Sequence, residues 1–198
     1  MVLDTTVQRR HLHADPQVIT YGDVSIPLDQ VEIVWYYTVR TSVTPGFGIN
    51  VHSDTEWRFG IDTHSSGKRR SIVLTFTTFR KKTQQEDWTF LVNLSKRYLE
   101  PRLVAELAGQ VRGGQTVVVG GALEVNLGGI STAAGVRRRA DKASLPWRSI
   151  SDVRLYNGKV WIYQGGAKKP AISVPMQNPN AVLIPDLFAA VTGARGAR

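Results

Sequence analysis

The sequence predicts a mainly β protein with some helix (an α+β class), built as two similar units that each end in a closing helix. Three observations carry this. Long runs alternate apolar and polar residues and are rich in β-branched and aromatic side chains, as over residues 31–39 and 71–79, the period of a strand with one buried face. Apolar residues recur at helical spacing over residues 84–98, through Trp88, Leu91, Val92 and Leu94, and again over residues 180–191. Finally, Ser25-Ile26-Pro27-Leu28-Asp29-Gln30-Val31-Glu32-Ile33-Val34 aligns without gaps on Ser144-Leu145-Pro146-Trp147-Arg148-Ser149-Ile150-Ser151-Asp152-Val153, and each copy leads into a strand-rich stretch that a helix closes.

In chain order, further strands are expected at residues 18–21, 56–61, 115–120, 122–127, 130–136, 152–156, 159–164 and 171–175. The proline of each repeat copy suits a short edge strand that turns a corner, because proline cannot donate to a ladder. Asn157-Gly158 is the strongest hairpin signal, since a type I′ turn needs positive φ at both central residues. A short helix begins at Pro101 and continues through Leu103, Val104 and Leu107 until Gly109 and Gly113-Gly114 end it. Loops are expected at residues 41–50, 63–70 and 137–144, and the segments 1–8 and 194–198 are expected to fray. This places a first unit at residues 1–112, with closing helix 84–98 and linker helix 101–108, and a second at 113–198, with closing helix 180–191.

Composition excludes several classes. With 198 residues, 42% hydrophobic and 21% charged, the chain has enough apolar surface to offset chain entropy. It has no cysteine, hence no disulfide framework, thiolate nucleophile or thiolate metal site. No window approaches the roughly 18–20 apolar residues of a membrane span and residues 1–10 lack a signal-peptide core, so a soluble, cytoplasmic protein is expected. The net charge of +9 is uneven: residues 1–112 hold 14 basic and 12 acidic side chains, residues 113–198 hold 11 and 4. The second half therefore dominates attraction to polyanions.

A set of residues in that half resembles a family. Gly121-Ala122-Leu123, Gly129-Ile130, Leu145-Pro146-Trp147, Ile150, Val153, Asn157-Gly158, Val160 and Ile162, followed by a closing helix, are similar to bacterial pleckstrin-homology-like (PH-like) domains. The likeness spans most of residues 115–193 and, more weakly, 9–98, so the whole resembles a tandem of two PH-like units. It implies that each unit is a bent antiparallel sheet, nearly a barrel, capped by its C-terminal helix. Trp147 and Trp161 would then be core anchors, with Leu183, Leu187 and Val191 as the plug. The first unit departs from the family in two ways. It has little sequence before Val18 for a first strand pair, and it carries about twenty extra residues in its middle. Its sheet is thus expected to be incomplete or completed by another chain.

Chemistry-bearing residues are sparse. His11, His13 and Asp15 alternate and would share one face of a strand, as metal ligands do, although a solvated polar strand is the plainer reading. His52, Asp54, Asp62 and His64 could meet across a hairpin but match no fixed-spacing motif. No nucleophile elbow, P-loop or dinucleotide fingerprint occurs, and Ser66-Gly67-Lys68-Arg69 reads as a basic turn. No catalytic residue, metal, cofactor or small-molecule substrate is therefore inferred, and the protein is expected not to be an enzyme. The sharpest feature is the cluster Arg137, Arg138, Arg139 and Lys142, joined in the polyanion-binding set by Lys168 and Lys169. Lys68-Arg69-Arg70 and Arg80-Lys81-Lys82 bracket one strand, a device that guards sheet edges against aggregation. The first hairpin turn of the second unit, Asn126-Leu127-Gly128-Gly129, has no base, so the resemblance brings with it no phosphoinositide site.

The expected function is a non-enzymatic binding or scaffolding module. It would recruit a protein partner, or a second copy of itself, through sheet edges or the groove beside a closing helix. The alternative is peripheral binding to anionic lipid or another polyanion through the basic second unit. Nucleic acid ranks below both, because no known module is present and the tryptophans read as buried.

Overall fold

The computed structural model describes residues 1–43, 52–63, 69–77, 83–121, 123–132 and 144–193. Its architecture is mainly β: four antiparallel sheets with three α-helices and, among the described residues, no closed barrel. The chain divides into two compact units, Met1–Leu99 and Glu100–Arg198, so residues 100–112 pack with the second unit, whereas the sequence places them with the first. No described helix is long and apolar enough to cross a membrane.

The first unit opens with a four-stranded meander of β1 (Leu3–Val7), β2 (Arg10–Ala14), β3 (Val18–Tyr21) and β4 (Val24–Pro27). A 3-10 turn at Leu28–Gln30 leads into a three-stranded meander of β5 (Ile33–Val43), β6 (His52–Thr63) and β7 (Arg70–Thr77). The helix α1 (Thr83–Leu94) and a π-helical turn, Ser95–Leu99, close it. Residues 1–8, expected to fray, instead supply β1, which pairs with β2 from Leu3↔Ala14 to Val7↔Arg10. The first strand pair is therefore present, and self-association through a missing strand loses its basis. The hairpin escapes a sequence reading because its turn is Gln8-Arg9, at φ 50° and 67°, a left-handed pair usually marked by asparagine and glycine. The extra residues in the middle of this unit lengthen β5 and β6, which pair from Ile33↔Asp62 to Val43↔His52.

The core of this unit follows from strand alternation. Val34, Tyr36, Phe59, Ile61, Ile72, Leu74 and Phe76 point inward and are buried, as are Leu91 and Leu94 of α1. The Trp88 indole N–H donates to the Arg58 carbonyl at 3.0 Å and its ring meets Tyr36 edge-on at 6.5 Å, tying the helix to the sheet. Burial of each such aliphatic side chain contributes about 1.5–3 kcal/mol.

The second unit begins with α2 (Glu100–Arg112), which packs on β8 (Val117–Val119), β9 (Leu123–Asn126) and α3 (Ile184–Thr192). β8 and β9 continue into β10 (Gly129–Thr132) and β11 (Ser144–Pro146), a second four-stranded meander. A 3-10 turn, Trp147–Ser149, leads to β12 (Ile150–Tyr156), β13 (Lys159–Gln164) and β14 (Ile172–Pro175). α3 then closes the unit: Leu183 just before it and Leu187 within it are buried, and Val191 is half-buried against the core. Gly193 ends the helix at φ 70°, and Arg112 of α2 caps its Ala190 carbonyl at 2.6 Å.

The repeat read from sequence is one corner built twice. Pro27 (φ −60°, ψ 138°) and Pro146 (φ −64°, ψ 146°) each end an edge strand, and each is followed by a three-residue 3-10 turn. The Val31 and Ile150 amides close those turns on the Leu28 and Trp147 carbonyls. The equivalent pairs Ile26 and Leu145, Val31 and Ile150, and Val34 and Val153 are all buried. Asn157 and Gly158 adopt φ 50° and 70° between β12 and β13, the turn their dipeptide predicts.

Candidate functional site

Of the six expected polyanion-binding residues, Arg137, Arg138, Arg139 and Lys142 lie outside the described residues, as do Lys68, His64 and Arg80-Lys81-Lys82. Lys168 and Lys169 are exposed in the connection between β13 and β14. Lys168 borders an open depression of about 570 Å³ lined also by Ser151, Asp152, Arg154, Tyr163, Gly166 and Ala167. The structure thus joins one expected residue to a surface that the sequence reading did not single out, the outward face of the β12–β13–β14 sheet.

That face is set by register. Val153, Val160, Ile162, Ile172 and Val174 fill the inner face and are buried, so their neighbours in each strand point out. Across β12 and β13 the outward pairs are Asp152↔Tyr163, Arg154↔Trp161 and Tyr156↔Lys159. Trp161 and Tyr163 therefore follow one another along β13 and Tyr156 lies diagonally across from Trp161 on β12, with Arg154 and Lys159 at the facing positions. Arg154 stacks over Tyr163 at 5.8 Å, Lys159 Nζ sits 5.7 Å from the Trp161 ring, and the Trp161 indole donates to the Tyr156 carbonyl at 2.8 Å. Asp152, the acid on this face, is paired with Arg154. Lys159, Lys168 and Lys169 remain as excess positive charge on and beside the sheet, and Tyr156 is 72% exposed.

Trp161 is accordingly not a core anchor, as the resemblance implies, but a half-buried residue of the outer face. The missed signal was in the sequence. The Asn157-Gly158 turn sets Tyr156 opposite Lys159, hence Arg154 opposite Trp161, and the β-branched Val160 and Ile162 claim the inner face. Trp147 does lie against the core, its ring 5.9 Å from Phe188 and its indole donating to the Asn126 carbonyl at 3.0 Å.

The outward face of the first unit is chemically different. Arg58 stacks on Tyr37 at 5.9 Å but is paired with Glu56, and Tyr37 is 9% exposed. Its guanidinium is held above the usual value chiefly by the hydrogen bond to Glu56. Moving the unit boundary to residues 99 and 100 leaves the charge imbalance unchanged, because residues 100–112 carry two basic and two acidic side chains.

The other polar sets do not converge on a site. His11 Nε2 bonds Asp4 Oδ1 at 2.8 Å, His13 Nδ1 bonds Asp4 Oδ2 at 3.2 Å, and His13 Nε2 bonds Asp15 Oδ2 at 3.2 Å. As expected, both histidines lie on one face of β2; the carboxylate between them, Asp4, comes from the unforeseen β1. Hydrogen bonds from the two imidazoles hold Asp4 below the usual carboxylate range, and those from His13 to Asp4 and Asp15 raise the imidazole. Asp15 is lowered first by the Gln17 and Val18 amides, then by His13. Among the described residues no group of three or more His, Cys, Asp or Glu is arranged to hold a metal ion. His52, Asp54 and Asp62 all lie on β6, and eight residues of strand, about 27 Å, separate the last two. Asp62 is instead buried against Arg69.

Comparison with protein-family models, with curated proteins and with solved structures finds no match to this chain.

Proposed function

We propose that the protein is a non-enzymatic binding module of two PH-like units whose second unit engages polyanions. The observation that carries this is the outward face of β12–β13–β14, where Arg154 and Lys159, with Lys168 at the adjoining depression, meet one carboxylate among the described residues, Asp152, itself paired with Arg154. Separated surface cations contribute little to folding, so a one-signed set of them acts on partners rather than on stability. The PH-like assignment draws on the element order. In each unit a four-stranded meander, a proline corner, a three-stranded meander and a helix follow one another.

The test is retention on immobilised heparin at rising salt, comparing the parent with Arg154→Ala, Lys159→Ala, Lys168→Ala and Lys169→Ala combined. Salt-sensitive retention that the combined variant loses is expected. A folded parent that flows through, or a variant retained as well as the parent, would sink the proposal.

A second reading, recruitment of a protein partner beside the closing helix, is favoured by one observation. Trp147, Arg148, Ile150, Phe188 and Thr192 line an open groove of about 380 Å³ along α3, with the two rings side by side.

A further inference from the structure

We infer that the ligand of the β12–β13–β14 face is single-stranded nucleic acid, an inference that rests on the polyanion reading above. Charge alone does not select among polyanions; the rings do. Tyr156, Trp161 and Tyr163 alternate with Arg154 and Lys159 on an open sheet. A chain whose planar bases alternate with phosphates complements that surface in both its stacking and its charge. A sulfated polymer would use the cations and leave the rings idle, and the vesicle arm of the experiment below separates a lipid surface.

Three details support stacking. Tyr156 is 72% exposed, so its ring is accessible to a base. Trp161 is pre-oriented, because its indole N–H is held by the Tyr156 carbonyl at 2.8 Å. Two rings already carry exposed cations on their faces, Arg154 over Tyr163 at 5.8 Å and Lys159 over Trp161 at 5.7 Å, so each ring has a cation beside it. An exposed cation–π contact is weaker than base–aromatic stacking, so a base displaces the cation and frees it for a phosphate. The polar depression bounded by Ser151, Arg154 and Lys168 adjoins Tyr163 and gives that phosphate a place beside the first stacked base. A duplex does not fit this scheme, since its bases are already stacked on one another.

The experiment is fluorescence anisotropy with a labelled oligothymidylate, its duplex with oligoadenylate, heparin as competitor, and phosphatidylserine vesicles in a parallel sedimentation. We expect the single strand to bind more tightly than the duplex. Tyr156→Ala and Trp161→Ala should each weaken it about tenfold or more, and Trp161→Phe should restore most of the loss. With Arg154, Lys159 and Lys168 engaged, the logarithm of affinity should fall against the logarithm of salt with a slope of about −2. Heparin binding should change little in the ring variants. Circular dichroism guards against misfolding, and Tyr156→Ala, at an exposed ring, is the variant least able to disturb the core. Oligothymidylate binding that is indifferent to both ring variants, or is no tighter than duplex binding, overturns the nucleic-acid inference while the polyanion reading stands. Binding to heparin or vesicles without binding to the oligonucleotide does the same. Absence of binding to every probe overturns both.

Discussion

Replacing Gly129 by alanine tests how tightly the second unit is held at its short edge strand. Gly129 sits at φ 152° at the start of β10, directly opposite Pro146. A Cβ there would lie 2.8 Å from the Pro146 Cα and closer still to the Leu145 carbonyl oxygen. Both are main-chain atoms, so no rotamer change relieves the clash. Alanine at that positive φ costs about 1–3 kcal/mol of backbone strain, and the contact itself is relieved only if β11 peels away. Peeling exposes Leu145, now 3% exposed, at about 1.5–3 kcal/mol. Strain and exposure together give a loss of about 3–6 kcal/mol, against a typical domain stability of about 5–15 kcal/mol. For a domain of about 100 residues that lowers Tm by at least about 12 °C. The assay is a urea titration followed by circular dichroism and tryptophan fluorescence, with the midpoint falling and the slope unchanged. Gly109→Ala is the control. It lies in α2 with no atom within 4 Å of its added Cβ, and should stabilise by about 0.5–1 kcal/mol. A Gly129→Ala midpoint within about 0.5 kcal/mol of the parent would refute the reasoning.

Two further outcomes concern the first hairpin. Because His13 is raised by Asp4 and Asp15, its contribution to stability is complete below the unfolded value near 6.5 and is lost as pH rises through the higher folded value. Asp4 is lowered, so its contribution is present above 3.8 and disappears as pH falls through the folded value. The hairpin should therefore be firmest between those limits. An NMR titration should show the His13 midpoint moving back toward 6.5 in Asp4→Asn, and an unmoved midpoint would contradict the assigned cause. Arg9→Gly should raise stability by about 1 kcal/mol in the same urea assay, because Arg9 bears a positive φ of 67° that glycine adopts freely. No gain would mean that the turn relaxes at no cost.

Elements whose signal is local were legible in the chain. Asn157-Gly158 announced its turn, Val34 and Tyr36 alternated with outward residues along β5, and Pro27 and Pro146 marked the two corners. The hairpin Leu3–Ala14 was not legible, since Gln8-Arg9 lacks the turn signature and its positive φ values are imposed by the pairing of β1 with β2. The candidate face was half legible. Lys168 and Lys169 were visible as charges, while the place of Trp161 needed the register across the hairpin and was assigned instead to the core.

By itself the sequence determined the mainly β class, the twofold repeat, the closing helices and the concentration of positive charge in the second half, because each depends on neighbours a few residues apart or on composition alone. Only the tertiary structure decided that residues 100–112 pack with the second unit, that Asp4 stands between His11 and His13, and that Tyr156, Trp161 and Tyr163 share one face with Arg154 and Lys159. Those outcomes depend on pairing between strands and on packing between distant segments. The same short stretch of chain can satisfy its local preferences on either face of a sheet, and burial of the opposite face makes the choice.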